Sequence, residues 1–278
     1  MNVHLKIIVD NQAAEGLVAE HGLSMWIEAG GKNILFDAGQ GDALEQNAAR
    51  LGIDLSHADL FVLSHGHYDH TGAVDFVMQE SPELQVFAHP GIFKTRYSIY
   101  PGKDAKEISM PSEERLIVAN LPDSHLHWIQ EPTQIAPGVW LTGPIPRVHP
   151  LEDTGGPFFE EPEGTTLDPI HDDQALWLET EKGLLVVCGC CHSGLVNTLN
   201  HIAAASGHKP IWGIVGGFHL KNASAERLEA TAAALREFQP TFLAPCHCTG
   251  DAAIDFFRQN LKTEINPGYA GFEIKTDN

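Results

Sequence analysis

The sequence predicts an α/β fold, and three observations carry that expectation. Short apolar runs rich in β-branched and aromatic residues alternate along the chain with amphipathic stretches of helical spacing. The 278 residues, 43% of them hydrophobic, are enough to bury a large core. Histidines recur where the predicted strands end, and in open α/β sheets the functional crevice lies at the carboxyl ends of strands.

Residues 5–9, 23–27 and 33–36 read as strands, the last two joined as a hairpin through Gly30 and Gly31. FDAGQGD ends a strand on Asp37 and turns on glycines into a helix in which Ala43, Leu44, Ala48 and Leu51 carry the apolar spacing. DLFVL (residues 59–63) is a buried strand, and SHGHYDHTG follows it at 64–72. Val74, Val77 and Met78 continue as a short helix, and LQVFAHP supplies another strand. From about 90 to 169 the pattern loosens, in stretches such as YSIYPGKDAKEISMP and LEDTGGPFFEEPEGTTLDP, so irregular lid-like segments are expected there around one strand, VWLTG. Order returns with QALWLETEKGLLVVCGC, two strands about a Glu-Lys-Gly turn. A helix follows with Leu195, Leu199 and Ile202 on one face, then the strand IWGIVGGFHL. The next helix has Ser224 as its cap and Leu228, Leu235 and Phe238 facing inward. TFLAPCHCTG, a helix through Ile254, Phe257 and Leu261, and the strand GFEIK complete the series.

Composition narrows the function. Lys and Arg number 17 against 37 Asp and Glu, a formal charge of −20, which disfavours sequence-independent nucleic-acid binding because phosphates would be repelled. No apolar run approaches the length of a membrane span, and MNVHLKIIVD reads as a strand rather than an export signal, so no membrane partner and a cytoplasmic location are expected. The five cysteines fall in VVCGCCHSG and APCHCTG, each group around a histidine. That odd, clustered count argues against a disulfide framework, and its spacing against a Cys-only zinc site.

The chemistry concentrates in residues 64–72. His65 and His67 flank one residue, so their imidazoles can face the same way, while Asp69 and His70 follow the turn and can point to a neighbouring position. Imidazoles with a carboxylate suit zinc, iron or manganese rather than calcium or magnesium. Four ligands in six residues cannot close on one tetrahedral ion without strain, so two neighbouring metals are the natural outcome. His192, His219 and His247 stand at three further strand ends.

SHGHYDHTG resembles the His-x-His-x-Asp-His signature of the metallo-β-lactamase superfamily. EHGLSMWIE, ILFDAGQ, DDQALWL, GCCHSGLVNT, GGFHL and PCHCTG extend the likeness, from about residue 21 to 250, to the branch that includes a methanogen 7,8-dihydropterin-6-methyl-4-(β-D-ribofuranosyl)aminobenzene-5′-phosphate synthase. The resemblance implies a four-layer αββα sandwich, with residues 1–278 as a single such domain. It also implies one or two divalent ions, zinc foremost with manganese or iron as alternatives. His65, His67 and a third histidine would bind the first metal, and Asp69, His70 and His247 the second. His192 is the expected third histidine because it ends a strand, and His171 is the alternative by spacing. Cys190 stands near the place where the superfamily has a bridging aspartate, and is expected to pack beside the site. Asp37 matches an early aspartate that holds a ligand histidine by its second nitrogen.

The resulting expectation is a hydrolase that uses a metal-activated water, with Asp69 as the catalytic carboxylate, on an ester, lactone, thioester or phosphoester of a small molecule. His219 and Arg147 are candidate substrate contacts, and Arg96, Lys221 and the start of the helix after His192 are further places to hold an anionic group. A transferase condensing a dihydropterin pyrophosphate with an aryl amine, and a non-catalytic metal or redox sensor, are the alternatives.

Overall fold

The turn expected at Gly30 and Gly31 forms, with both glycines left-handed at φ 60° and 73°, the geometry that matches the twist of paired strands. It joins β2 (Ser24–Ala29) to β3 (Lys32–Phe36), and β1 (Val3–Val9) pairs with the outer edge of β2. The structure, a computed structural model, describes residues 1–276. Helix α1 (Ala43–Leu51) leads to β4 (Leu60–Val62), α2 (Tyr68–Thr71), α3 (Val74–Glu80) and β5 (Gln85–Ala88). Then come β6 (Tyr97–Ser98), β7 (Lys106–Glu107), α4 (Ser112–Ala119), β8 (Leu126–Trp128), β9 (Thr133–Ala136), β10 (Val139–Leu141) and β11 (Phe158–Phe159). The rest alternates: β12 (Ala175–Thr180), β13 (Gly183–Cys188), α5 (Leu195–Ser206), β14 (Ile211–Gly217), α6 (Ala225–Phe238), β15 (Phe242–Cys246), α7 (Asp251–Asn260), β16 (Glu264–Ile265) and β17 (Glu273–Lys275).

One seven-stranded sheet runs β17-β1-β2-β3-β4-β5-β8 and another β16-β15-β14-β13-β12-β10-β9. Because side chains alternate across a strand, each sheet offers one apolar face to the other and one to helices. Between the sheets Leu5, Ile7, Ile27 and Phe36 meet Leu178, Leu185, Val187 and Val215. Outside the first sheet Ile8, Leu35 and Phe61 pack with Leu44 of α1, Val77 of α3 and Val118 of α4. Outside the second, Val186, Ile214 and Leu243 pack with Leu199 of α5, Leu235 of α6 and Phe257 of α7. The fold is therefore the expected four-layer αββα sandwich. Among the described residues no helix is long and apolar enough to cross a membrane.

The segment 90–169 is more ordered than expected. It contains α4, β8 and a three-stranded sheet, β11-β6-β7. Two-residue strands are too short to show alternation, and α4 enters from Pro111 without a side-chain cap, which removes the usual start signal. Arg96 fastens this layer. Fully buried, it donates from Nε to Asp168 Oδ2 at 2.7 Å and grips Asp172 through both terminal nitrogens, while Asp172 Oδ2 also accepts from the Gly66 amide at 2.8 Å. The guanidinium is thus committed to the fold, and the expectation that Arg96 holds a substrate anion is corrected.

Arg96→Ala should cost about 3–5 kcal/mol, since it strands two buried carboxylates. Lys94→Ala, which breaks only the exposed pair with Glu160, should cost less than about 1 kcal/mol. Urea denaturation of both variants checks the contrast, and equal losses would mean that the Arg96 cluster does not fasten the layer.

Candidate metal centre

The parallel strands β4, β13, β14 and β15 end on the same rim, and the loops after them carry the histidines. Asp37 follows β3 on the same rim with φ 59° and is fully buried. Its Oδ1 accepts from the Ser64 amide at 2.7 Å, and its Oδ2 accepts from Ser64 Oγ at 2.7 Å and from His70 Nδ1 at 2.7 Å. A carboxylate can only accept, so the His70 proton sits on Nδ1 and its Nε2 keeps a lone pair. Ser64 Oγ, having given its proton to Asp37, accepts from His65 Nδ1 at 2.9 Å, which leaves the His65 Nε2 lone pair free as well.

The second sheet repeats the device with different partners. His192 Nδ1 donates to the Thr154 carbonyl at 2.8 Å, and His247 Nδ1 to the Asn11 side-chain oxygen at 3.1 Å. The His247 amide is held by Asp10 Oδ1 at 2.8 Å. The free nitrogens converge. His65 Nε2 is 2.9 Å from His67 Nδ1, and His70 Nε2 is 3.3 Å from His247 Nε2 and 3.1 Å from Cys190 Sγ. The His192 ring lies 4.8 Å from those of both His65 and His67. Asp69 Oδ2 stands 3.4 Å from His247 Nε2 and 3.9 Å from His70 Nε2.

These are donor atoms for a cation. His67 Nε2 and His192 Nε2 are buried with no hydrogen-bond partner among the described residues, which is costly unless something else meets them. Burial, together with the neighbouring imidazoles, holds His65, His67 and His192 well below the ordinary histidine range, so each is neutral and able to ligate. Burial alone would raise Asp69, but the imidazoles of His70 and His247 outweigh it and hold the carboxyl well below its usual value. His247 is the exception: burial would lower it, but Cys248 and Asp69 draw it up to about 9, so it must give up a proton to ligate. Three neutral imidazoles with one ionised carboxylate fit a borderline divalent ion.

The structure gathers His65, His67, Asp69, His70, His192 and His247 at one place. His171 is exposed, whereas His192 is buried, and His171 falls in none of the clusters of potential ligand atoms. Cys190 was expected beside the site, yet its Sγ lies among the imidazole nitrogens, and the residue is 2% exposed. His219 lines the cavity above, 4.3 Å from the His192 ring. Arg147 does not line it, and its role as a substrate contact is corrected: its guanidinium donates to the carbonyls of His192 and Ile170 from behind. The start of α5 is also taken, since the Glu152 carboxylate accepts from the Val196 and Asn197 amides at 2.7 Å each. Lys221 remains on the cavity wall with Lys106, Tyr68 and Phe158, around a volume of about 320 Å³.

One residue escaped the sequence reading. His21 Nε2 is 3.2 Å from Asp69 Oδ2, and its ring stacks on His247 at 5.5 Å. It sits between β1 and β2 rather than just after a strand, so the strand-end rule passed over it; only its place in EHGLSMWIE marked that segment.

Comparison with known proteins agrees with this architecture. A family model described as the metallo-beta-lactamase superfamily matches residues 17–186. A 7,8-dihydropterin-6-methyl-4-(beta-D-ribofuranosyl)-aminobenzene-5'-phosphate synthase of Methanocaldococcus jannaschii is 31% identical, over 92% of this chain and 90% of its own length. An uncharacterized protein of the same organism is 33% identical, over 90% of this chain and 92% of its own. Among solved structures, a metal-dependent hydrolase of the beta-lactamase superfamily superposes with a TM-score of 0.84 at 29% identity, covering 99% of this chain and 100% of its own. With the matched segment, the αββα layers and the histidine rim in agreement, the chain belongs to the metallo-β-lactamase superfamily.

Proposed function

We propose that the protein is a metal-dependent hydrolase acting on an ester, lactone, thioester or phosphoester of a small molecule. The observation that carries this reading is the pair of unpartnered, buried nitrogens, His67 Nε2 and His192 Nε2, beside an ionised Asp69 in a cavity wall. His65, His67 and His192 would hold one divalent ion, and Asp69, His70 and His247 a second, with zinc favoured by the donor set. Bound there, such an ion supplies Lewis acidity, polarising a carbonyl or phosphoryl oxygen and lowering the pKa of water from 15.7 to about 7.

The chain's own groups do the rest. Asp69 orients the attacking water and takes its proton, and His21, 3.2 Å away and half exposed, passes that proton to solvent. Asp37, Thr154 and Asn11 keep His70, His192 and His247 in one tautomer throughout. Phe158, which packs on His67, His192 and His219, keeps bulk water from that side, and Lys106 and Lys221 favour an anionic substrate.

The likeness to the M. jannaschii synthase supports a second reading, condensation of a dihydropterin pyrophosphate with an aryl amine. The same residues would serve, but water would have to be excluded from the cavity.

His192→Ala should lose at least about tenfold in metal affinity, more than removing an outer partner of a ligand costs, and should lose turnover with it. His171→Ala should change neither. Elemental analysis beside rate measurements checks this, and the reverse order of effects would restore His171 as the ligand.

Chelation should abolish turnover while the far-ultraviolet circular dichroism persists, because three apolar clusters hold the layers without an ion. Re-metallated protein should then hydrolyse members of an ester and phosphodiester panel. Product from a pterin pyrophosphate and an aryl amine, without hydrolysis, would establish the second reading, and no turnover under any metal loading would leave a sensor.

A further inference from the structure

We propose that Cys190 is a thiolate ligand shared by the two metal positions, so that the bridge between them is sulfur. The assignment rests on the metal-binding reading of the site and is independent of which reaction the site performs.

The geometry singles out this residue. Among the described residues four sets of potential ligand atoms lie within 4.8 Å of one another: His65, Cys190 and His192; His70, Cys190 and His247; Cys190, His219 and Cys248; and His21, Asp69 and His247. Cys190 belongs to three of the four, more than any other residue. The first set lies on the side of one metal position and the second on the side of the other, and Sγ is the atom they have in common.

A hydrogen-bonded thiol does not account for this arrangement. His70 Nε2, left as an acceptor because Nδ1 donates to Asp37, lies 3.1 Å from Sγ, and His65 and His192 offer ligand atoms within 4.8 Å of it. One S–H proton can meet His70 Nε2, but the buried His192 Nε2 and His67 Nε2 still have no partner among the described residues. A cation meets several at once. Coordination displaces the thiol proton to solvent and leaves a thiolate, a donor that suits zinc or iron alongside imidazole.

The backbone is shaped to deliver the sulfur. Gly189 packs so closely on the Asp37–Ser64 pair that a Cβ there would meet Ser64 Oγ at 2.2 Å. Only glycine lets the chain after β13 descend to that depth, and the next side chain is Cys190. The one carboxylate in these sets, Asp69, falls with His21 and His247 and not with His65 and His192, so the sets on the two sides share the sulfur and no carboxylate.

The test uses the full chain, stripped of metal and reloaded with cobalt(II). The unmodified protein and Cys248→Ser should both show a near-ultraviolet sulfur-to-cobalt charge-transfer band. Cys190→Ser should lose the band, and its affinity for the second ion should fall at least about tenfold. Cys190→Asp should also lose the band but recover the second ion, since a carboxylate can bridge where the thiolate did. X-ray absorption of the unmodified zinc form, which needs no variant to fold, should show sulfur at about 2.3 Å. A full metal complement without a sulfur signature, or a band that survives in Cys190→Ser and vanishes in Cys248→Ser, would overturn the assignment while leaving the metal centre in place. Failure of the unmodified protein to bind any divalent ion would instead overturn the reading on which it rests.

Discussion

The Asp37 carboxylate is the constraint on which the rest of the site depends. It is fully buried, and such a charge is tolerable only when donors surround it. Three do: the Ser64 amide, the Ser64 hydroxyl and His70 Nδ1. Those contacts lock the end of β3 to the end of β4 and fix the proton positions of two imidazoles, His70 directly and His65 through the Ser64 hydroxyl. An apolar residue at 37 would leave a serine and two rings without orientation. A single side chain from one strand thus determines which nitrogens of its neighbour's loop face the cavity.

The second sheet reaches the same result through Thr154, Asn11 and Asp10, none of which stands in the histidine motif. The cost is concentrated at the rim. Asp37, Cys191, His219 and His247 all adopt positive φ, a conformation that L residues other than glycine enter rarely. Hydrogen bonds to His247 from both sides, and the packing of Cys191 against α5 and the second sheet, hold two of those residues in place. The strain lies where the backbone must turn sharply to aim a side chain, while the sandwiched strands beneath follow ordinary extended geometry.

This division explains what could be read from the sequence. β1 to β4 and β12 to β15 were legible because their apolar runs are bounded by turn residues and, in β4 and β13 to β15, buried on both faces. The place of His192 on the rim was legible for the same reason, since it lies in the short loop between β13 and α5, whereas His171 lies in the irregular segment before β12. The rest depended on long-range contacts with no local imprint. Arg96 and Arg147 look alike as lone arginines, yet one is clasped by Asp168 and Asp172 and the other braces the His192 carbonyl. Glu152 closes the start of α5 from more than forty residues away. His21 reaches Asp69 only because β1 and β2 bring their connecting loop to the rim.

The pairing of β1 with β17 bears on how the molecule is made. Leu5 lies opposite Ile274, so the outer edge of β1 is covered by β17, which is made only after all the other described strands. At roughly 5–20 residues per second on the ribosome, that edge waits on the order of 10–50 s for its partner. An uncovered edge is a template for pairing with other chains. His4 and Lys6, alternating with the buried Val3, Leu5 and Ile7, put polar groups along it during that interval. The same delay applies to Asp10 and Asn11, which follow β1 and cannot receive His247 until β15 has emerged. A nascent chain therefore carries the SHGHYDHTG loop without the second half of the rim until β13 to β15 have emerged, and completes the candidate metal site only as those strands dock.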